Sequence, residues 1–253
     1  MIEQSYHIGV PAGLGARYAL LPGDPGRVEK IAQHLDHMKF VSVKREYTTY
    51  IGEVAGEKVL VMSTGMGGPS TAIGVEELSR IGVDTFIRIG TCGGMQLNVE
   101  GGDLVIPNGS IRMEGTTREY VPIEYPAVPD LTVTNALVQA AKNAGKKYHI
   151  GVVQSKDSFY GQHDPARMPV GYELRSKWDA WIKAGCIASE MESAALFIVS
   201  SFLRCRAGAV FLSVWNQERG KAGLSNIAVH DTSDAIMTAV EALRLLIAED
   251  KGT

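Results

Sequence analysis

The chain has 253 residues, 45% of them hydrophobic, and its 25 Lys and Arg stand against 28 Asp and Glu for a formal net charge of -3. That length fits one large α/β domain or two small ones, with a single domain over residues 1–253 as the better reading, and the apolar share suffices for a substantial core. The basic residues are scattered, which argues against nucleic acid and anionic membrane as partners. No apolar run reaches the length of a membrane span, and the N-terminal "MIEQSYHIGV" has no basic region followed by a hydrophobic segment, so no secretory signal and a cytoplasmic location are expected. Cys92, Cys186 and Cys205 form no CxxC pair and are odd in number, which speaks for buried free thiols and against a disulfide framework or a cysteine metal site.

In chain order, short apolar runs alternate with glycine-rich punctuation and longer segments of helical period. "YALLPGDPGRVEKIAQHL" is the first such unit, "KVLVMSTGMGGPSTAIGVEELSRI" the second, and "DTFIRIGTCGGM" opens a third. Further strands are predicted at "DLVIP", "YHIGVVQS" and "AGAVFLSVW", and helices over 131–143, 172–184, 191–203 and 232–248. In the last helix Ile236, Val240, Leu243 and Ile247 recur at three- and four-residue steps, as one buried face requires. His34 and His37 are read as a solvated pair on a polar helix face, not as metal ligands. Strands alternating with helices predict a parallel or mixed sheet covered on both sides, with ligands at the carboxyl ends of its strands.

Five segments carry candidate chemistry. "PGDPGR" ends the first strand; Gly23 would let the backbone approach a ligand, and Arg27 stands at a helix entry that favours an anion. A plain turn with a surface arginine is the competing account. "STGMGGPS" breaks the chain before a helix that Ser70 or Thr71 could cap, and it fits neither a dinucleotide fingerprint nor a P-loop. In "RIGTCGG", Arg88 lies inside an apolar strand, where a guanidinium needs an anion or full pairing. An oxyanion clamp with Thr91 fits it better than a structural ion pair. In "SEMESAA", Ser189 and Glu192 form a capping-box pattern, yet carboxylates beside the apolar "CIAS" also suit the vicinal hydroxyls of a sugar. Last, "FYGQHDPARMP" crowds an aromatic ring, an amide, an imidazole and a guanidinium into a polar, turn-rich stretch.

The motifs "GDPGR", "STGMGGPS", "RIGTCG", "FYGQ" and "SEMESAAL", in this order over nearly the whole chain, resemble the nucleoside phosphorylase-I superfamily, with the nearest likeness to its uridine phosphorylases. The resemblance implies an α/β fold with a central mixed sheet, partly closed into a barrel and flanked by helices. It implies reversible phosphorolysis of a nucleoside, with inorganic phosphate as co-substrate and no organic cofactor, in homohexamers built as trimers of dimers. Carried over by residue, Gly23, Arg27, Arg88 and Thr91 would hold phosphate, with Arg45 supplied by a neighbouring subunit. Met191 and Glu192 would hold the ribose hydroxyls, and His7 would reach a partner's ribose 5′-hydroxyl. Phe159 would pack on the sugar or base, and Gln162 would read the base edge. Glu46 and Ser70 match positions that bind a monovalent cation, potassium, at the dimer interface of some relatives. Arg88 and Glu192 are the residues expected to carry catalysis.

The resemblance also separates pyrimidine from purine enzymes. Purine-cleaving relatives carry an acid in the loop after the late strand, where this chain has "VWNQ", and an amide cannot protonate a purine. Uracil is therefore the expected base. Two departures stand out: Gln162 is followed by His163 and Asp164 where relatives have Gln-x-Arg, leaving Arg167 or His163 to complete the base contact, and Gln217 stands where an arginine is frequent, with Arg219 as a substitute. A purine nucleoside phosphorylase or methylthioadenosine-type nucleosidase, and a non-catalytic nucleoside-binding relative, are the alternatives.

Overall fold

The computed structural model describes residues 4–252. Its elements are β1 (Tyr18–Pro22), α1 (Val28–Ala32), β2 (Asp36–Lys44), β3 (Tyr47–Val54), β4 (Glu57–Met62), α2 (Gly68–Arg80), β5 (Thr85–Gly94), β6 (Leu104–Met113), α3 (Leu131–Asn143), β7 (Tyr148–Lys156), α4 (Phe159–His163), α5 (Gly171–Lys183), β8 (Ala188–Glu190), α6 (Ser193–Phe202), β9 (Arg206–Asn216), α7 (Gln217–Lys221) and α8 (Ser233–Gly252). The strands form one sheet in the order β2-β3-β4-β1-β5-β8-β7-β6-β9, and β9 returns to pair with β5. Thus β5, β8, β7, β6 and β9 close into a five-strand barrel, and β1, β4, β3 and β2 extend from it as an open wing. Pairing is mixed: β1 lies parallel to β4 and β5, and β5 to β9, whereas β5–β8 and β6–β9 are antiparallel. This is the mixed, partly closed α/β sheet expected from the sequence.

Alternation along the strands explains how one sheet serves two cores. Tyr18 and Leu20 of β1, Val59 and Val61 of β4, and Ile87 and Ile89 of β5 face α1, α3 and α8, while Ala19, Leu21, Leu60, Met62 and Phe86 face α2 and α6. Ile236, Val240, Leu243 and Ile247 of α8 are all buried, as their spacing predicts. Each such side chain contributes on the order of 1.5–3 kcal/mol by leaving water. Asp130 caps α3 by accepting the Val133 N–H at 2.9 Å, which fixes that helix's start.

Several elements depart from the sequence reading. The hairpin of β2 and β3 was not anticipated, because β2 is an exposed edge strand with register shifts and has no clear alternation. His34 and His37 are exposed, but α1 ends at Ala32 and His37 lies in β2 with φ 54°, so they share no helix face. The predicted strand "DLVIP" runs on to Met113, crossing a register shift between Pro107 and Gly109 that accommodates the proline's missing N–H. Cys92 and Cys186 are buried free thiols, while Cys205 is half-buried. Among the described residues no helix is long and apolar enough to cross a membrane.

Candidate active site

The ends of β1, β4, β5, β8 and β9 open onto one cleft of about 890 Å³ lined by Gly23, Arg27, Arg88, Thr91, Met191 and Glu192 at one end and Lys156, Phe159, Gln162 and His163 at the other. Parallel strands end here side by side, which brings residues distant in sequence to one mouth. Arg88, on β5, is 4% exposed. Its Nη2 donates to Glu192 Oε2 at 2.6 Å and its Nη1 to Thr64 Oγ1 at 3.2 Å, while its buried Nε has no protein partner. A guanidinium so placed has a donor to spare for an anion. Both readings of Arg88 therefore meet in the structure: it is ion-paired, and it also faces the cleft.

Gly23 is required by this approach. A Cβ there would lie 3.1 Å from the Gly65 carbonyl oxygen and 3.3 Å from Arg88 Nη2, so a side chain would push the guanidinium away. Arg27 stands in the 3-10 turn Pro25–Arg27 and is held loosely by Asp24 at 3.7 Å. On the opposite wall, Gly67 at the N-cap of α2 adopts φ 93°, a conformation suited to glycine, and donates its N–H to Glu192 Oε1 at 2.7 Å. Neither Ser70 nor Thr71 caps that helix: the Ser70 hydroxyl meets Glu46 Oε1 at 2.5 Å, and Thr71 Oγ1 donates to Gly67 O. The Ser70 bond, chiefly, holds the Glu46 carboxyl below its ordinary range. Glu46 and Ser70 both line the cleft edge beside Gly65 and Met66.

The capping-box expectation for Ser189 and Glu192 is corrected. Helix α6 starts at Ser193, Glu192 occupies the N-cap position without a side-chain cap bond, and Ser189 is in β8. Glu190 does the capping instead, accepting the N–H groups of Glu192 and Ser193 at 2.8 and 2.9 Å. Burial, reinforced by the nearby Glu192 charge, pushes the Glu190 carboxyl above its ordinary range.

At the other end of the cleft, Ser158 caps the short helix α4, which brings Phe159, Gln162 and His163 to the cleft. The Phe159 and His163 rings lie 4.3 Å apart, and burial, then Lys156, lowers the His163 pKa. The Gln162 amide bridges a hydroxyl and a second amide, accepting from Ser189 Oγ at 2.8 Å and donating to Gln217 Oε1 at 3.3 Å. Arg167 does not fold back: it pairs with Asp164 at 3.3 Å, lies over the Tyr160 ring, and is 58% exposed. Its guanidinium remains on the surface because the 3-10 turn Pro165–Arg167 directs it outward. Arg219 is likewise engaged elsewhere, donating to the carbonyls of Leu97 and Ser225 and pairing with Glu100. Asn216 is buried and caps α7, accepting from Glu218 N and Arg219 N while its amide donates to Gln96 and Val99.

The cation beside Gln162 and His163 is one that the sequence reading passed over. Lys156 ends β7, is 5% exposed, and donates from Nζ to Ser189 Oγ at 2.7 Å. Burial holds its ammonium below the usual lysine range. It also borders a second chamber of about 450 Å³, shared with Gln162 and His163 and extending toward Arg175 and Gln217. A lysine closing an apolar strand, in "GVVQSKDS", was the available signal.

His7 and Arg45 do not line their own cleft. His7 Nδ1 lies 2.6 Å from Glu77 Oε1, and that carboxylate also accepts the N–H groups of His7 and Ile8. Burial pushes the Glu77 carboxyl up, but these bonds outweigh it and hold it below the ordinary range. Arg45 is exposed at the β2–β3 turn with φ 56°. Among the described residues no group of three or more His, Cys, Asp or Glu could hold a metal ion.

A family model described as the phosphorylase superfamily matches residues 17–248. The chain is 57% identical over 245 residues to a uridine phosphorylase of Treponema pallidum, covering 97% of this chain and 95% of that one. A uridine phosphorylase of Escherichia coli is 39% identical over 247 residues, with 96% and 98% covered. A guanosine phosphorylase of Halorubrum lacusprofundi is 41% identical over 204 residues, 81% and 80% of the two chains. With a family model matching most of its length and relatives of 39% and 57% identity over nearly the whole chain, this chain belongs to the phosphorylase superfamily.

Proposed function

We propose that the protein is a uridine phosphorylase, a pentosyltransferase that converts uridine and inorganic phosphate to uracil and ribose 1-phosphate. The observation that carries the reading is that one cleft gathers Gly23, Arg27, Arg88 and Thr91, the Glu192 carboxylate paired with Arg88, and Gln162 with Lys156, both bonded to Ser189. Phosphate, sugar and base each find donors or acceptors of the right kind in these groups. Phosphate held by the guanidiniums attacks C1′ as the C1′–N1 bond breaks, with inversion, and the electron pair stays on uracil. Uracil spreads that charge over two carbonyls, which the Gln162 amide and the Lys156 ammonium can meet as donors. Buried Asn216, engaged in capping α7, offers no acid for a purine. Met191 and Glu192 hold the ribose hydroxyls, and Phe159 packs against the sugar or base. His163 lies beside the base, and Arg167 has no part in binding it in this conformation.

The complete site takes residues from a second copy. Arg45 and His7 stand outside their own cleft, and Tyr6 and Val43 are exposed apolar residues beside them, with Met66 exposed at the cleft edge, so a neighbouring subunit would receive them. A homohexamer of three dimers, working in the cytoplasm as one phosphorylase domain per chain, follows this reading. Glu46 Oε1, Ser70 Oγ and the Thr64 carbonyl gather at that edge, an oxygen set that suits a hard monovalent cation such as potassium.

The test incubates the protein with uridine, thymidine, inosine, guanosine and methylthioadenosine, with and without phosphate. Phosphate-dependent release of uracil from uridine is expected. Loss of a purine nucleoside without loss of uridine overturns the uridine assignment, and no turnover with any substrate favours a binding protein.

A further inference from the structure

Helix α6 begins where two demands meet, since its first amides need acceptors and its first residues face the cleft. Glu192, in the N-cap position, meets neither amide, because its carboxylate is committed to Gly67 N at 2.7 Å and Arg88 Nη2 at 2.6 Å. Glu190 and Ser155 take over. Glu190 Oε2 accepts from the Glu192 and Ser193 N–H groups, the Ser155 hydroxyl donates to Glu190 Oε1, and Ser155 Oγ accepts from the Ala194 N–H at 2.9 Å. Residues 192–194 are thereby tied, one after another, to β8 and β7.

Glu190 is 4% exposed, and no ion pair to it exists among the described residues. Lys156 Nζ approaches only its backbone carbonyl, at 3.4 Å, and Arg88 pairs with Glu192. A buried carboxylate without a cation is unfavourable, and a neutral capping residue would start the helix at lower cost. A carboxylate adds a two-oxygen grip, one oxygen on the peptide that carries Glu192 and the other on β7.

We infer that Glu190 is a positioning residue for ribose recognition, holding the backbone of residues 191–193 so that the Glu192 carboxylate stands between Gly67 and Arg88, where the ribose hydroxyls meet it. The inference rests on the reading of Glu192 as the ribose ligand.

The test compares kcat/KM for uridine and 2′-deoxyuridine at saturating phosphate, since only uridine offers the 2′-hydroxyl. Glu190→Ala should lower the uridine value about a hundredfold, as expected for a reacting group displaced by about 1 Å. The 2′-deoxyuridine value should fall about tenfold less, because it has one hydrogen bond to the carboxylate fewer to lose. Glu190→Gln keeps an acceptor oxygen for the two amides and should restore most of the uridine preference. Equal losses on both substrates in a folded Glu190→Ala protein, judged by circular dichroism and thermal melting, would mean a merely structural role and overturn the inference. Should Glu190→Ala fail to fold, Ser155→Ala decides: a lowered uridine preference supports the inference, and an unchanged one overturns it. Glu192→Gln separates the two layers. If it leaves the preference unaltered, the ribose reading falls and takes the inference with it; if it lowers the preference while Glu190→Ala does not, only the role of Glu190 falls.

Discussion

The phosphate end of the cleft is framed by strand ends and buried side chains, with Arg88 and Glu192 each about 5% exposed. The base end hangs on α4, a helix of five residues, where Phe159 and Tyr160 are 52% and 61% exposed. At the first end Arg88 and Glu192 are fixed by each other and by Thr64 and Gly67 from other segments, so these two need little reorganisation when phosphate arrives. At the second, recognition rests on a short helix joined to the sheet through Gln162, Ser189 and Gln217. The difference teaches where change is tolerated. On the proposed reading, phosphate and ribose chemistry falls to the rigid end, and the choice of base to a segment that can be rebuilt without disturbing the sheet.

Substitutions at the two ends should differ accordingly. Arg88→Ala should have the largest effect, a loss of about 10²–10³-fold in phosphate-dependent turnover, as expected when a principal charge-stabilising donor is removed. Survival of activity would break the assignment of the clamp and, with it, the contrast between the ends.

Lys156→Met should follow, with a loss of about 10²-fold in kcat for uridine measured by uracil release. The wild-type rate should also carry an alkaline limb. The charged donor is present below the lowered Lys156 pKa and is lost as pH rises through it, so the limb falls at lower pH than an ordinary lysine would give and is absent in Lys156→Met. The same shift makes folding stability rise with pH between that lowered value and the unfolded value of about 10.4, because the unfolded chain binds the extra proton there. Chemical denaturation across that window would check the sign.

Gly23→Ala should raise the KM for phosphate about tenfold with a smaller change in kcat, since the added methyl crowds Arg88 Nη2 and misplaces one fork of the clamp. An unchanged KM would show that the guanidinium moves freely and that the phosphate end is less rigid than described. Smallest of all, Arg167→Ala should alter kcat/KM for uridine by less than about twofold, because its exposed pair with Asp164 is worth little. A large loss would mean that α4 rearranges when substrate binds, bringing Arg167 inward, and would sharpen the view of the base end as the adaptable one.

Much of this was legible in the residues. Apolar periodicity gave α3 and α8 within a few residues, and the glycine-rich strand ends marked the residues that line the cleft, because close backbone approach and a buried arginine leave a strong trace. Arg167 and Arg219 were read by proximity along the chain and lie elsewhere, since a 3-10 turn points the first outward and the carbonyls of Leu97 and Ser225 hold the second. Lys156 was missed because a lysine at a strand end looks like a surface residue until the opposing strand buries it. The capping-box alternative for Ser189 and Glu192 fails, and the capping by Glu190 went unread, for a similar reason: the spacing of a capping box is local, whereas the groups competing for those oxygens, Gly67, Arg88 and Ser155, arrive from three other places in the fold.

By itself, then, the sequence determined the class of fold, the alternation of strands and helices, and the residue types gathered at strand ends, because these follow from local periodicity and backbone permission. Tertiary structure decided the closure of the five-strand barrel, the pairing of Arg88 with Glu192, and the placing of Lys156 and Gln162, but not Arg167, along the cleft. Those outcomes depend on which distant side chain reaches a buried polar atom first, and such competition is settled only when the strands lie side by side.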